Sequence, residues 1–99
     1  MGAISQKGAE FLIRSRIADA ERGNVDALFD LGVAYSTGRG GVPVDLIEAH
    51  KWFNLAALSG CTRGQECRAE IALEMTAREI AEAQRQARAW LTGDARRAA

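Results

Sequence analysis

Between residues 9 and 93 the apolar positions recur at helical spacing, in blocks separated by glycine, asparagine, threonine or proline. Ala9, Ile13, Ile17 and Ala20 form one such stripe, which stops at Gly23 and predicts a first helix over residues 9–22. Asn24 can cap a second helix over 25–36. The run Ser-Thr-Gly-Arg-Gly-Gly-Val-Pro-Val at 36–44 then breaks the pattern, because its three glycines and Pro43 forbid a continuous helix. Asp45 opens a third helix with Glu48 as its capping-box partner, and Gly60 ends it after Ser59. Thr62 and Gln65 predict a second capping box, opening a helix to about Glu74. Thr76 and Glu79 predict a third box, with Met75 and Ile80 at the staple positions; this helix runs to about Thr92 and ends at Gly93. Residues 94–99 read as a frayed tail. The expected fold is all-α, five helices and no strands.

The faces of these helices carry more information than their positions. At 100° per residue, the second helix places Ala27, Leu28, Leu31, Ala34 and Tyr35 on one side, with Gly32 at its edge. Asp26, Phe29, Asp30, Val33 and Ser36 fall on the other. The third helix has a broad apolar face of Leu46, Ala49, Trp52, Phe53, Ala56 and Ala57. Ile47, Leu55 and Leu58 make a second face, broken by Lys51. A helix apolar on two sides is packed on two sides. That pattern suits an antiparallel hairpin stacked between other hairpins, in a short right-handed alpha-alpha solenoid.

Composition narrows the class of function. Hydrophobic residues make up 47% of the 99, and 19 are alanine, which favours helix over sheet. Thirteen basic residues balance thirteen acidic ones, so the chain has no net field to draw it to nucleic acid or an anionic membrane. The cysteines Cys61 and Cys67 would close only a short loop and read as two reduced thiols in a reducing compartment. The first residues lack the basic region and apolar run of a secretory signal. They approach a myristoylation signal but carry Gln6 where Ser or Thr is wanted. No apolar run nears the ~20 residues that span a bilayer. The expected location is cytoplasmic.

Residues 27–60 read Ala-x3-Leu-Gly-x2-Tyr-x2-Gly-x-Gly, followed by Val42, Asp45, Ala49, Trp52, Ala56-Ala57 and Gly60. This order and spacing resembles a Sel1-like repeat, the helix-turn-helix relative of the tetratricopeptide repeat. The residues that carry the resemblance are Ala27, Leu31, Gly32, Tyr35, Gly38, Gly40, Val42, Asp45, Ala49, Trp52, Ala56, Ala57 and Gly60. The loop departs from the pattern by one extra residue, Gly41. The flanks at about 9–24 and 62–93 read as partial units around the best repeat at 25–60, all within one domain over 1–99. The resemblance implies a protein-binding adaptor or scaffold without catalytic activity or cofactor. Its expected partner surface is the strip Asp26, Phe29, Asp30 and Val33, suited to a peptide with a basic residue and an apolar anchor. The competing reading of that strip is packing against a neighbouring helix. An alternative function is a homo-oligomeric structural module, such as a homodimer, closed by Ile47, Leu55, Leu58 or Trp90.

Other candidate chemistry is sparse. His50 is the single histidine and sits at the edge of the third helix's broad apolar face, which suits a partly buried structural role. A relay with Cys61 or Cys67 and Asp45 or Glu48 lacks supporting spacing. His50, Cys61 and Cys67 contain neither a C-x2-C nor an H-x3-H pair, so no metal site is expected. Cys67 shares a face with Ile71 and reads as core, whereas Cys61 reads as a loop thiol. The loop Gly38–Gly41 lacks the Gly-Lys-Ser/Thr of a phosphate loop, which leaves Arg39 as a solvated side chain at its tip. In the last helix, Arg78, Arg85 and Arg88 nearly balance Glu79 and Glu82, as expected for a surface helix with i,i+4 pairs rather than a nucleic-acid helix.

Overall fold

A computed structural model describes residues 6–93, and these form five helices and no strand: α1 (Gln6–Glu21), α2 (Val25–Thr37), α3 (Leu46–Leu58), α4 (Thr62–Ala72) and α5 (Ala77–Thr92). The expected tail at 94–99 and the first five residues lie outside the described residues. Four helix starts are each set by one side-chain acceptor. Asn24 Oδ1 accepts from Ala27 N at 3.2 Å, and Asp45 Oδ1 from Glu48 N at 3.1 Å. Thr76 Oγ1 accepts from Glu79 N at 3.1 Å while Thr76 N donates back to Glu79 Oε1 at 2.8 Å, the full capping box expected there. The other two expected boxes do not form. Glu48 instead accepts from Trp52 Nε1 and pairs with Lys51 Nζ, both at 3.0 Å. At α4 the cap is Cys61, whose Sγ accepts from Gly64 N at 3.3 Å. Thr62 is already the first helical residue, so its side chain lies one position too late to cap.

The glycine-rich connection between α2 and α3 folds tightly, with a 3-10 turn over Arg39–Gly41. Gly38, Gly40 and Gly41 all adopt left-handed backbone, at φ 79°, 79° and 89°. Gly41, the extra residue of the loop, is thus a position where a side chain would be strained. Gly38 N closes α2 on Ala34 O at 2.8 Å, and Asp45 N donates to Tyr35 O at 2.9 Å, which pins the start of α3 beside the end of α2.

Opposed contacts show α2 and α3 to be antiparallel, since Tyr35 meets Asp45 and Gly32 meets Phe53. α4 packs on α3 in turn: Gly64 seats against Ala56 and Phe53 O, and Arg68 donates to Asn54 Oδ1. The main core unites Ala20, Ala27, Leu28, Leu31, Trp52, Leu55, Ala56 and Ala87, drawn from α1, α2, α3 and α5. Trp90 meets Trp52 edge-on at 4.9 Å between ring centroids. The two apolar faces of α3 are therefore packed on both sides, as its pattern predicts, although Leu58 at its end stays 62% exposed. In α5 the charged pairing runs i,i+3 rather than i,i+4. Arg85 Nε and Nη2 donate to the two Glu82 oxygens at 2.9 and 2.7 Å.

Candidate interaction surface

The four residues of the expected strip start from one face of α2 but end in different surroundings. Asp26 is exposed in the first helical turn. Phe29 is half-buried, because its ring packs on Phe53 with centroids 5.5 Å apart, and the Arg63 guanidinium lies over it at 5.0 Å. Asp30 turns toward α1, where Arg16 Nε stands 3.6 Å from its Oδ2. Val33 is half-buried, and its carbonyl accepts from Thr37 Oγ1 at 2.7 Å and Ser36 Oγ at 3.2 Å.

Asp30 also stands at the mouth of a groove of about 180 Å³ between α1, α2 and the 3-10 turn. Ile13, Leu31, Ala34 and Val42 give it an apolar floor, and Arg16 and Arg39 complete the charged rim. Phe11 and Leu12 on α1 and Val44 in the loop are exposed apolar side chains nearby in the chain. The helical wheel of α2 alone could not reveal this groove, since most of its wall belongs to α1 and the loop. Asp30 of the expected strip and Arg39 at the loop tip are the charged groups of it already marked in the sequence.

Elsewhere the structure corrects three readings. His50 is fully buried rather than at an edge, at 3% exposure, and its Nδ1 has no hydrogen-bond partner among the described residues. Burial lowers its pKa from the ordinary 6.5, and the Arg68 charge lowers it further. Cys61 is a half-buried cap packed against the core, not a loop thiol. Cys67 is half-buried rather than core, with its thiol pKa raised chiefly by burial and then by the charge of Glu70. Both thiols are free. Among the described residues, no group of three or more His, Cys, Asp and Glu side chains is placed to hold a metal ion, and no helix is long and apolar enough to cross a membrane. Of the four residues considered for a subunit interface, Leu55 is buried in the core and Trp90 packs on Trp52; Ile47 is half-buried, and only Leu58 is largely exposed.

The Sel1 repeat family model matches residues 25–61, which span α2, the glycine loop, α3 and the Cys61 cap. No curated protein and no solved structure is significantly similar to the chain. Sel1 repeats generally mediate protein–protein interaction. The close approach at Gly32, the left-handed glycines of the loop and the Asp45 cap are the physical form of that family's pattern, which residues 25–61 of this chain match.

Proposed function

We propose that this chain is a protein-interaction module without chemistry of its own, and that it receives its partner along α2 and the groove beside it. The observation that carries this reading is an apolar-floored groove of about 180 Å³ with Asp30 at its mouth. The partner would be a peptide with an apolar anchor for the floor and a basic residue for Asp30 and Asp26. The Arg16–Asp30 link is long and roughly half exposed on both sides, so a ligand cation can replace Arg16 at little cost. In this reading Phe29 and Val33 hold α2 in place, and the contact is made by the aspartates and the groove. The balanced net charge supports a protein partner over nucleic acid, and the two free thiols support a cytoplasmic setting.

The test is Asp30→Lys. Its melt should stay within about 1 kcal/mol of the parent, as for an exposed ion pair. A partner identified with the parent chain should lose affinity for the variant. A variant that binds as well as the parent sinks the surface assignment. A variant that no longer folds shows the aspartate to be part of the packing.

The alternative, a structural oligomer, rests on the exposed Leu58 and Leu91. Light scattering across a hundredfold dilution, with circular dichroism alongside, separates the two. A helical monomer at every concentration supports the adaptor. A dimer that loses helicity as it dissociates supports the oligomer.

A further inference from the structure

His50 is the one histidine in the chain, and its imidazole is buried inside the contact between helices. It lies one helical turn before Asn54, whose Oδ1 accepts from the Arg68 guanidinium of α4 at 2.5 Å. The ring therefore sits on the side of α3 that meets α4. Its Nδ1 finds no acceptor or donor among the described residues.

The charged groups on the surrounding helices do not favour an imidazolium. Arg68 on α4 acts on the ring with the same sign of charge. On α3 itself, Glu48 is engaged by Trp52 Nε1 and Lys51 Nζ. On α2, Asp26 and Asp30 lie on the exposed side. On α4, Glu66 and Glu70 are exposed. On α5, Glu82 is clamped by Arg85 and Gln86, and Glu79 is spent on its capping box. A neutral ring can leave Nδ1 as a bare lone pair. A protonated ring would bury an N–H⁺ without an acceptor, beside a guanidinium.

We propose that His50 makes the packing of α4 on α3 proton-sensitive: uptake of a proton by the buried ring releases α4, and with it the hairpin to α5, from α3. The part that yields is α4, because the ring lies in its contact with α3, beside Arg68. Gly64 is its only fully buried residue, whereas α2 buries Leu28 and Leu31 and α3 buries Trp52, Phe53 and Leu55. The sign follows from linkage. The folded ring holds its proton less tightly than the unfolded one, whose midpoint is near 6.5. Stability is therefore complete above that value and is lost as pH falls below it. The reference values of Asp and Glu side chains, about 4, lie below this window, so the histidine step stands apart from general acid unfolding.

The test compares the full chain with His50→Gln at about pH 7.5 and pH 5.5. The parent should lose about 5 °C of thermal midpoint on acidification. Its α4 amides should also gain exchange rate relative to those of α2, after correction for intrinsic exchange. The variant should show neither change. An unchanged parent midpoint overturns the proposal, and so does a variant that loses as much as the parent. Should His50→Gln fail to fold, proton NMR of the single imidazole in the parent decides. A native titration midpoint below 6.5, raised by Arg68→Gln, supports the proposal; a midpoint at or above 6.5 overturns it.

Discussion

At Gly32 the Phe53 ring occupies the space where a side chain would begin. A Cβ built there would lie 2.8 Å from the ring's Cγ and closer still to Cδ1 and Cε1. Phe53 is itself buried and packed against the tilted ring of Phe29, so it cannot swing aside cheaply. Gly32→Ala should gain about 1 kcal/mol of helix propensity and lose more than that to overpacking, for a net loss of about 2 kcal/mol in urea unfolding. Gly32→Val should be worse, since a branched side chain has nowhere to go. Gly64 offers a contrast. Its Cβ would meet Ala56 Cβ at 3.0 Å and Phe53 O at 3.1 Å, a tight but less severe approach. Gly64→Ala should therefore cost less than Gly32→Ala, and the opposite ranking would show α4 to be held more rigidly than α2.

The helices themselves are decided by their ends. Asn24, Asp45 and Thr76 are caps that can be read from residue type and the position of the next apolar stripe. Cys61 is harder to read, because a thiol accepts weakly and Thr62 beside it is the commoner cap. The choice was made by Gly60, whose φ of 97° turns the chain so that residue 61, not 62, carries the extended cap backbone. Two substitutions check this. Cys61→Ser keeps an acceptor at the cap and should melt near the parent. Cys61→Ala removes it and should cost about 1 kcal/mol. At α5, Thr76→Ala breaks both arms of the capping box and should cost about as much; an unaffected melt would mean that α5 is held by Ala83, Ala87 and Trp90 alone.

Over the whole molecule, helices that share little local sequence signal are joined through aromatic contacts. Trp90 on α5 meets Trp52 on α3, and Trp52 in turn donates its indole N–H to Glu48. Trp90→Ala should cost about 3 kcal/mol, a large share of the 5–15 kcal/mol expected for a domain of this size. The loss should fall first on α5, seen as faster amide exchange there than in α2. With a radius of gyration of 13.0 Å, the ordinary size for about 100 residues, the described part is a rounded stack rather than an extended array. The helices of the repeat and those beside it thus close a shared core drawn from α1, α2, α3 and α5.

The division between sequence and tertiary structure runs along the range of the forces involved. Helix periodicity, glycine turns, Asn and Asp caps and the Gly32-to-Tyr35 pattern act over a few residues, so the chain by itself determines five helices and a repeat centred on α2 and α3. Which side of each helix meets what is a long-range matter. The wheel put Phe29 and Asp30 on one strip, yet a rotation of 100° per residue sends Phe29 under Arg63 toward Phe53 and Asp30 to the groove beside α1. The wheel likewise put His50 at an apolar edge, and only the arrival of α4 with Arg68 buries it beside a like charge. The groove has no counterpart in any single helix, because its walls come from segments more than 20 residues apart, Leu12 to Val42. Local chemistry sets the elements, but burial is a property of their assembly, and burial is what turns an aspartate into a rim and a histidine into a proton-sensitive contact.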